Sequence, residues 1–320
     1  MATHLARYAQ AGRPRWGVVR GERLAPLEGD YPTTAALIQA GEGDWRAAAR
    51  RSPSVELASV TLLSPVTAPA RVICQGANYR QHMIESGLDP DAKRFNMFFE
   101  KSDASIGPPV GSIVRPPHVR LLDYELELAL VFRKAISKPV TVTTNTLHEH
   151  VFGVTMANDV SARDVQLPET QFFKGKSYRG FCPLGPYLAV LEPDEIRSLD
   201  QLTLTLKVND TLRQSDSTAN LVYKPAETIT ELSTFSDLSP GDVLLTGTPA
   251  GCALRAPPRA VRKLMQLVLS EPQLWATFVR MQAKRPEYLR PGDVVRGTIS
   301  SSDGAIDLGE QRLTVEGATA

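Results

Sequence analysis

From Arg71 onward, short apolar segments recur, bounded by Gly, Pro, Asn or Asp: RVICQG, ELELALVF, HVFGVTMAND, GPYLAVL, LTLTLKVND, DVLLTGTP and DVVRGTI. Helical patterns between them are fewer and shorter, so the regular strand-helix alternation of a doubly wound parallel sheet is absent. The sequence therefore predicts an α+β, mainly β architecture of packed sheets. Residues 1–65 read as a small N-terminal domain, with short strands around Arg15 to Val19 and Arg23 to Leu27 and a helix-like TTAALIQAG ending at Gly41. Two prolines in SPVTAPARVI, from Ser64, mark a boundary and leave residues 66–320 as the larger domain. One segment there breaks the β pattern. Between Arg259 and Lys284, Val261, Leu264, Met265 and Val268, then Leu274, Trp275, Phe278 and Met281, fall at helical spacing on either side of Pro272, which predicts two amphipathic helices.

The segment DYELELALV, Asp123 to Val131, places two glutamates one residue apart in a strand-like run. Period-two alternation puts Glu125 and Glu127 on one face and Leu126, Leu128 and Leu130 on the other, so both carboxylates enter the same space. Burying two like charges that close is unfavourable. It is tolerable if a cation sits between the carboxylates, if one is protonated, or if one reaches water. A third carboxylate comes from VTMANDVSARDVQ, where an apolar stretch runs out at Asn158 and Asp159. A lone glutamate on a strand reads as a solvated position. Glu125, Glu127 and Asp159 together form the oxygen set that a hard divalent cation takes, with room left for water and substrate. Zinc is disfavoured, because no His or Cys cluster accompanies them along the chain.

In GANYRQHMIE, Gly76 or Asn78 can open a short helix on which His82 and Glu85 stand three apart on one face. An imidazole oriented by a carboxylate is a general base for water, although that spacing on its own is more often a surface pair. FFKGKSYRGFCPLGP holds Lys174 and Lys176 in a Gly-punctuated loop. LLTGTPAG, Leu244 to Gly251, runs a strand into a turn whose backbone N–H groups and Thr248 hydroxyl can receive a carboxylate, or which is simply a tight strand exit.

Composition narrows the partners. With 36 basic and 35 acidic side chains there is no excess to neutralise phosphates, which argues against nucleic acid. Cys74, Cys182 and Cys252 are odd in number and far apart, with neither a CxxC pair nor a disulfide framework, so a reducing compartment and a cytoplasmic location are expected. The N-terminus lacks an apolar signal core, and no stretch approaches the ~20 apolar residues of a spanning helix, so no membrane role is expected.

Taken in order, NYRQHMIE, FFEK, DYELELALV, ANDVSARDVQ, GKSYRGFCPLGP, VND, TGTPAG and PGDVV resemble the fumarylacetoacetate hydrolase family over roughly Arg71 to Gly251, resuming at Leu289. The resemblance implies a mixed β-sandwich roll, commonly homodimeric, with a small N-terminal domain. It implies that Glu125, Glu127 and Asp159 bind a catalytic Mg²⁺ or Mn²⁺, the same three residues that the spacing nominates. It further implies that His82 and Glu85 on a short lid helix activate water, that Lys176 is the loop lysine of the site, and that Lys101, Arg163, Gln166 and Thr248 contact substrate or water. The departure is a helical insertion near residues 252–290, where many relatives pass quickly from TGTPAG to PGDVV.

Such a family implies a small keto-acid substrate that chelates the metal, so that the cation stabilises an enolate. The expected reaction is hydrolytic C–C cleavage of an acylpyruvate-like or 1,3-dicarbonyl keto acid, with His82 deprotonating the attacking water and Lys176 and Arg163 facing the developing oxyanions. An isomerase, hydratase or decarboxylase acting on a related 2-oxo acid is the alternative, because the same enolate serves all of them. A non-catalytic ligand-binding protein that kept the fold is the reading from another class.

Overall fold

The period-two segment LTLTLKV forms the strand Leu202–Val208, with Leu202, Leu204, Leu206 and Val208 buried and Thr203 and Lys207 exposed. It belongs to a five-stranded sheet ordered Thr211–Ser217, Leu202–Val208, Val294–Ser301, Asp307–Gly317 and Val110–Arg115. The structure is a computed structural model describing residues 2–92, 94–168, 170–256 and 269–318. Among these residues the larger sheet has eleven strands. Its order runs Val55–Glu56, Arg23–Pro26, Arg13–Arg20, His4–Gln10, Tyr187–Val190, Val151–Asn158, Leu126–Phe132, Val243–Leu245, Val72–Gly76 and Met97–Lys101, with Thr61–Leu63 also on His4–Gln10. This is the mixed α+β, β-rich architecture expected from the spacing of the apolar segments.

The strand Leu126–Phe132 is buried on both faces, and its sequence sorts the two sides by size. Leu126, Leu128, Leu130 and Phe132 enter the core that also holds Leu204, Leu206, Ile299 and Leu313 of the smaller sheet. Each such leucine contributes roughly 1.5–3 kcal/mol by leaving water. Ala129 and Val131 turn to the other side, where they join Val243, Leu245, Leu37 and Trp45 beneath the N-terminal helices. The two sheets approach closely where Gly297 faces Leu126. A Cβ there would sit 2.8 Å from Leu126 Cδ1, so the glycine sets the sheet separation.

The N-terminal residues follow their local signals. Thr33 caps the helix Thr34–Ala40 by accepting from the Ala36 N–H, and Gly41 closes it. The segment's strands are not a separate sheet: His4–Gln10 pairs antiparallel with Tyr187–Val190, in register Leu5 to Leu188.

The second of the two expected helices is Glu271–Gln282, opened by a Ser270 and Gln273 capping box with Pro272 in the first turn. Phe278 and Val279 pack against the main core, and Trp275 and Phe278 meet edge to face at 5.8 Å. Residues 257–268, where the first helix is expected, lie outside the described residues. No described helix is long and apolar enough to cross a membrane.

Candidate metal and substrate site

Four strand ends meet at one edge of the larger sheet. Leu126–Phe132 and Val151–Asn158 run antiparallel with Leu126 opposite Asn158, so the start of one adjoins the end of the other. Val243–Leu245 runs antiparallel to Leu126–Phe132 and parallel to Val72–Gly76, which brings both of their C-terminal ends to the same edge. Chemistry carried on the residues just beyond these ends is therefore concentrated in one place.

Glu127 is in the strand and Glu125 immediately precedes it. Asn158 accepts the Glu125 N–H at 3.0 Å through its side chain, and the Asp159 N–H donates to the Glu125 carbonyl at 2.8 Å. This double tie carries Asp159 to the glutamate pair. The three carboxylates are buried and offer oxygens within 4.8 Å of one another. Period two thus located the pair, and the structure assembles the triad.

Three basic side chains brace this triad. Lys176 donates to Glu125 Oε2 at 2.7 Å and to Asp159 Oδ2 at 2.5 Å. Arg163 pairs with Glu125, with Asp123 at 2.9 Å and with the Gln166 amide oxygen at 2.9 Å. Lys101 donates to Asp159 Oδ1 at 2.5 Å and to the Phe181 carbonyl at 2.8 Å. Burial pushes the Glu125 carboxyl up, but Arg163 and Lys176 outweigh it and hold the group well below the usual carboxylate range. Glu127 goes the other way. Burial, then Asp159 and Glu125, raise it well above that range, opposed in part by Lys176 and by the Gly247 N–H that it accepts at 2.7 Å.

The donor set fits a hard divalent ion. Asp123, Glu125, Glu127 and Asp159 are four buried carboxyl groups facing three buried basic groups, Lys101, Arg163 and Lys176. The unbalanced member is Glu127, the carboxyl raised by its neighbours. A divalent cation at the triad would more than offset the one unpaired negative charge, with oxygen ligands alone.

A cavity of about 190 Å³ opens over the triad, the space of roughly six water molecules and the size of a small organic acid. His82, Arg163, Gln166, Lys176 and Thr248 are on its wall beside the three carboxylates. Burial lowers the His82 pKa below its ordinary value, with Glu125 opposing, so the ring is neutral at pH 7.

Several placements correct the sequence reading. The helix carrying His82 is Arg80–Glu85, opened by Tyr79. Asn78 does not cap it; its side-chain amide donates to the Tyr223 and Thr246 carbonyls at 3.0 and 2.9 Å. Among the described contacts Glu85 makes no hydrogen bond to His82: it accepts the Gly251 N–H at 3.0 Å and pairs with Arg255. A backbone donor and a guanidinium outcompete an imidazole one helical turn away. Lys101 is not among the cavity-lining residues and supports Asp159 from behind. Lys174 and Lys176 are in the short helix Phe172–Lys176 and not in a loop. The N–H expected at the TGTPAG turn does receive a carboxylate, that of Glu127. The Thr248 hydroxyl is already engaged, donating to the Leu126 carbonyl at 3.1 Å and accepting from Gln214 at 2.8 Å.

The sequence reading passed over three residues. Asp123 accepts the Ala253 and Leu254 N–H groups at 2.7 and 3.0 Å while pairing with Arg163, and so ties the loop after TGTPAG to the site. Its place two residues before Glu125 was the available signal. Gln214 accepts the Leu126 N–H at 3.0 Å and donates to the Pro249 carbonyl at 2.9 Å, from a strand with no site-like pattern. Cys252 brings its sulfur 3.9 Å from His82 Nδ1.

Comparison with known proteins adds to this geometry. A family profile described as fumarylacetoacetate (FAA) hydrolase, C-terminal, matches residues 71–316, and one described as Rv2993c-like, N-terminal, matches residues 3–65. A mitochondrial oxaloacetate tautomerase of Bos taurus is 38% identical over 221 residues, 68% of each chain. The crystal structure of a probable 2-hydroxyhepta-2,4-diene-1,7-dioate isomerase from Mycobacterium abscessus is 30% identical, with a TM-score of 0.73 and complete coverage of both chains. A maleylpyruvate hydrolase from a Sphingobium species, solved with manganese(II) and pyruvate, is 25% identical with a TM-score of 0.71, covering 99% of this chain and 100% of that one.

Proposed function

The chain belongs to the fumarylacetoacetate hydrolase family and is an enzyme of it, and from that premise we propose that it interconverts the keto and enol forms of a small 2-oxo dicarboxylic acid of the oxaloacetate kind, with Mg²⁺ or Mn²⁺ held by Glu125, Glu127 and Asp159. When bound there, such an ion supplies a Lewis acid for the enolate charge of a chelated oxo acid. Lys176 and Arg163 set positive charge along the same wall. His82, neutral at pH 7, takes a proton from the carbon beside the carbonyl and returns it to oxygen. No water is consumed, and one base suffices. Gln166, whose oxygen is held by Arg163, keeps its NH₂ on the wall to orient the acid, while the Thr248 hydroxyl stays committed to Leu126 and Gln214.

One observation carries this choice over hydrolysis: His82 reaches the cavity while Glu85 is engaged by Gly251 and Arg255. Proton transfer needs the imidazole alone, whereas directing a water onto a carbonyl draws on the oriented pair. The tautomerase relative supports the same choice. Hydrolysis of an acylpyruvate is the second reading, favoured by the likeness to the maleylpyruvate hydrolase. Hydration and decarboxylation draw on the same enolate.

Side-by-side assays of oxaloacetate enol-to-keto conversion, oxaloacetate decarboxylation, dienoate isomerisation and acylpyruvate cleavage decide the matter. Tautomerisation is expected to be fastest by at least about tenfold with Mg²⁺ or Mn²⁺ and to disappear on chelation. Faster acylpyruvate cleavage, or turnover indifferent to EDTA, would overturn the assignment.

The assembly we assign is a homodimer built on the edge strand Met97–Lys101. Phe95, Phe173 and Phe235 are 70%, 55% and 62% exposed, and Phe98 meets Phe235 in a tilted pair at 5.6 Å beside that strand, which ends the sheet among the described residues. Light scattering is expected to give twice the chain mass, falling to one chain on Phe235→Glu; a monomeric wild type refutes it. The three cysteines are buried and free, which supports a reducing, cytoplasm-like compartment.

A further inference from the structure

Along the chain nothing marks a soft-metal ligand set, because His82 and Cys252 are 170 positions apart. The fold brings them together at the site. His82 nitrogen, Cys252 sulfur and a Glu125 carboxylate oxygen lie within 4.8 Å of one another. We propose that these three residues form a second cation site, selective for a borderline ion such as zinc, whose occupation switches the enzyme off.

The geometry is close to what the ion requires. Zn–S of about 2.3 Å and Zn–N of about 2.0–2.1 Å at a tetrahedral angle separate sulfur from nitrogen by about 3.5 Å. The observed separation is 3.9 Å, so a shift of a few tenths of an ångström closes the site. The mixed S, N, O set suits zinc or cobalt and is a poor match for Mg²⁺, which takes oxygen. A fourth position remains for water.

The thiol is held in place but lightly engaged. Asp123 fixes the backbone just beyond it through Ala253 and Leu254. Among the described residues its sulfur is 3.7 Å from the Gln214 amide and 3.9 Å from both the Pro249 carbonyl and His82 Nδ1. As the metal–sulfur bond forms, the thiol proton is released to solvent. The new thiolate offsets one of the two positive charges that the ion brings.

Occupation reaches both parts of the proposed chemistry, and this consequence rests on the function argued above. Metal at Nδ1 fixes the His82 ring in place and makes it a poor proton acceptor. Glu125 belongs to both ligand sets, so an ion at the second site shares a ligand with the first.

The test uses the full chain with saturating Mg²⁺, kept reduced, and Co²⁺ as the probe. One cobalt per chain is expected to raise a near-ultraviolet thiolate-to-metal absorption that excess Mg²⁺ does not remove and that Cys252→Ser or Cys252→Ala abolishes. Zinc is expected to bleach that band and to inhibit Mg²⁺-supported turnover, with Cys252→Ser needing at least about tenfold more zinc for the same inhibition. No band, or a band retained in both variants, overturns the site. A band without zinc inhibition overturns the switch. The spectrum needs no substrate, so failure of the proposed reaction stays distinguishable from failure of the site.

Discussion

Glu127→Gln is expected to abolish metal-supported turnover while leaving the metal-free protein as stable as the wild type or slightly more so. Glu127 is buried against Glu125 and Asp159, and the cations that serve those two carboxylates are not paired with it. Glutamine keeps an oxygen for the Gly247 N–H and turns an NH₂ toward its neighbours, so a repulsive contact becomes an attractive one. The gain is of order 1 kcal/mol, about 1–3 °C in Tm. The loss is much larger. Without the third carboxylate the ion is held by two, and a fall of at least about 10³-fold in kcat/KM, equivalent to about 4 kcal/mol, is the expected result. Calorimetric titration with Mn²⁺ and thermal melts in EDTA check the two halves separately. A variant that binds Mn²⁺ as tightly as wild type would remove Glu127 from the ligand set.

Lys176→Met has the opposite signature. It deletes an ammonium that bridges Glu125 and Asp159, both buried, and removing one side of a buried ion pair costs about 3–5 kcal/mol. Arg163 and Lys101 still serve the two carboxylates, which holds the expected cost to the lower part of that range. The melting temperature in EDTA is therefore expected to drop by several degrees, roughly 3–9 °C. Because the lost charge lies between two of the proposed ligands, Mn²⁺ replaces it in kind, and the variant is expected to bind the ion more tightly than wild type. Metal at 100 times its Kd returns about 2.7 kcal/mol. Turnover stays low, since the ion does not restore the ammonium on the cavity wall. A Tm in EDTA equal to wild type, or one that Mn²⁺ fails to raise, would show that the ammonium does not hold the triad.

The contrast between these variants follows from what was and was not legible in the chain. Glu125 and Glu127 could be read from alternation alone, because facing is a local property of a strand. Leu202–Val208 and Glu271–Gln282 were legible for the same reason, the latter helped by Pro272 at its start. Pairing is not local. Glu85 was placed with His82 because three residues separate them, yet its partner Gly251 is 166 positions away. Lys101 resembled a substrate contact, and only the folded sheet shows Asp159 between it and the cavity. Gln214 had no signature at all, since an amide that satisfies Leu126, Thr248 and Pro249 becomes recognisable only when strands far apart in sequence are adjacent. Cys252 was read through the redox compartment that cysteine counts suggest, whereas its distance to His82 is what gives it chemistry.

The ladder between His4–Gln10 and Tyr187–Val190 has a consequence for how such a protein can be remodelled. Tyr187–Val190 in turn pairs with Val151–Asn158, the strand that ends one residue before Asp159. The opening segment and the candidate site are thus coupled through rungs of backbone hydrogen bonds, with no slack tether between them. Grafting a foreign leader onto this scaffold would be masonry at a shared wall, and any misfit in its register would reach the carboxylate two strands away.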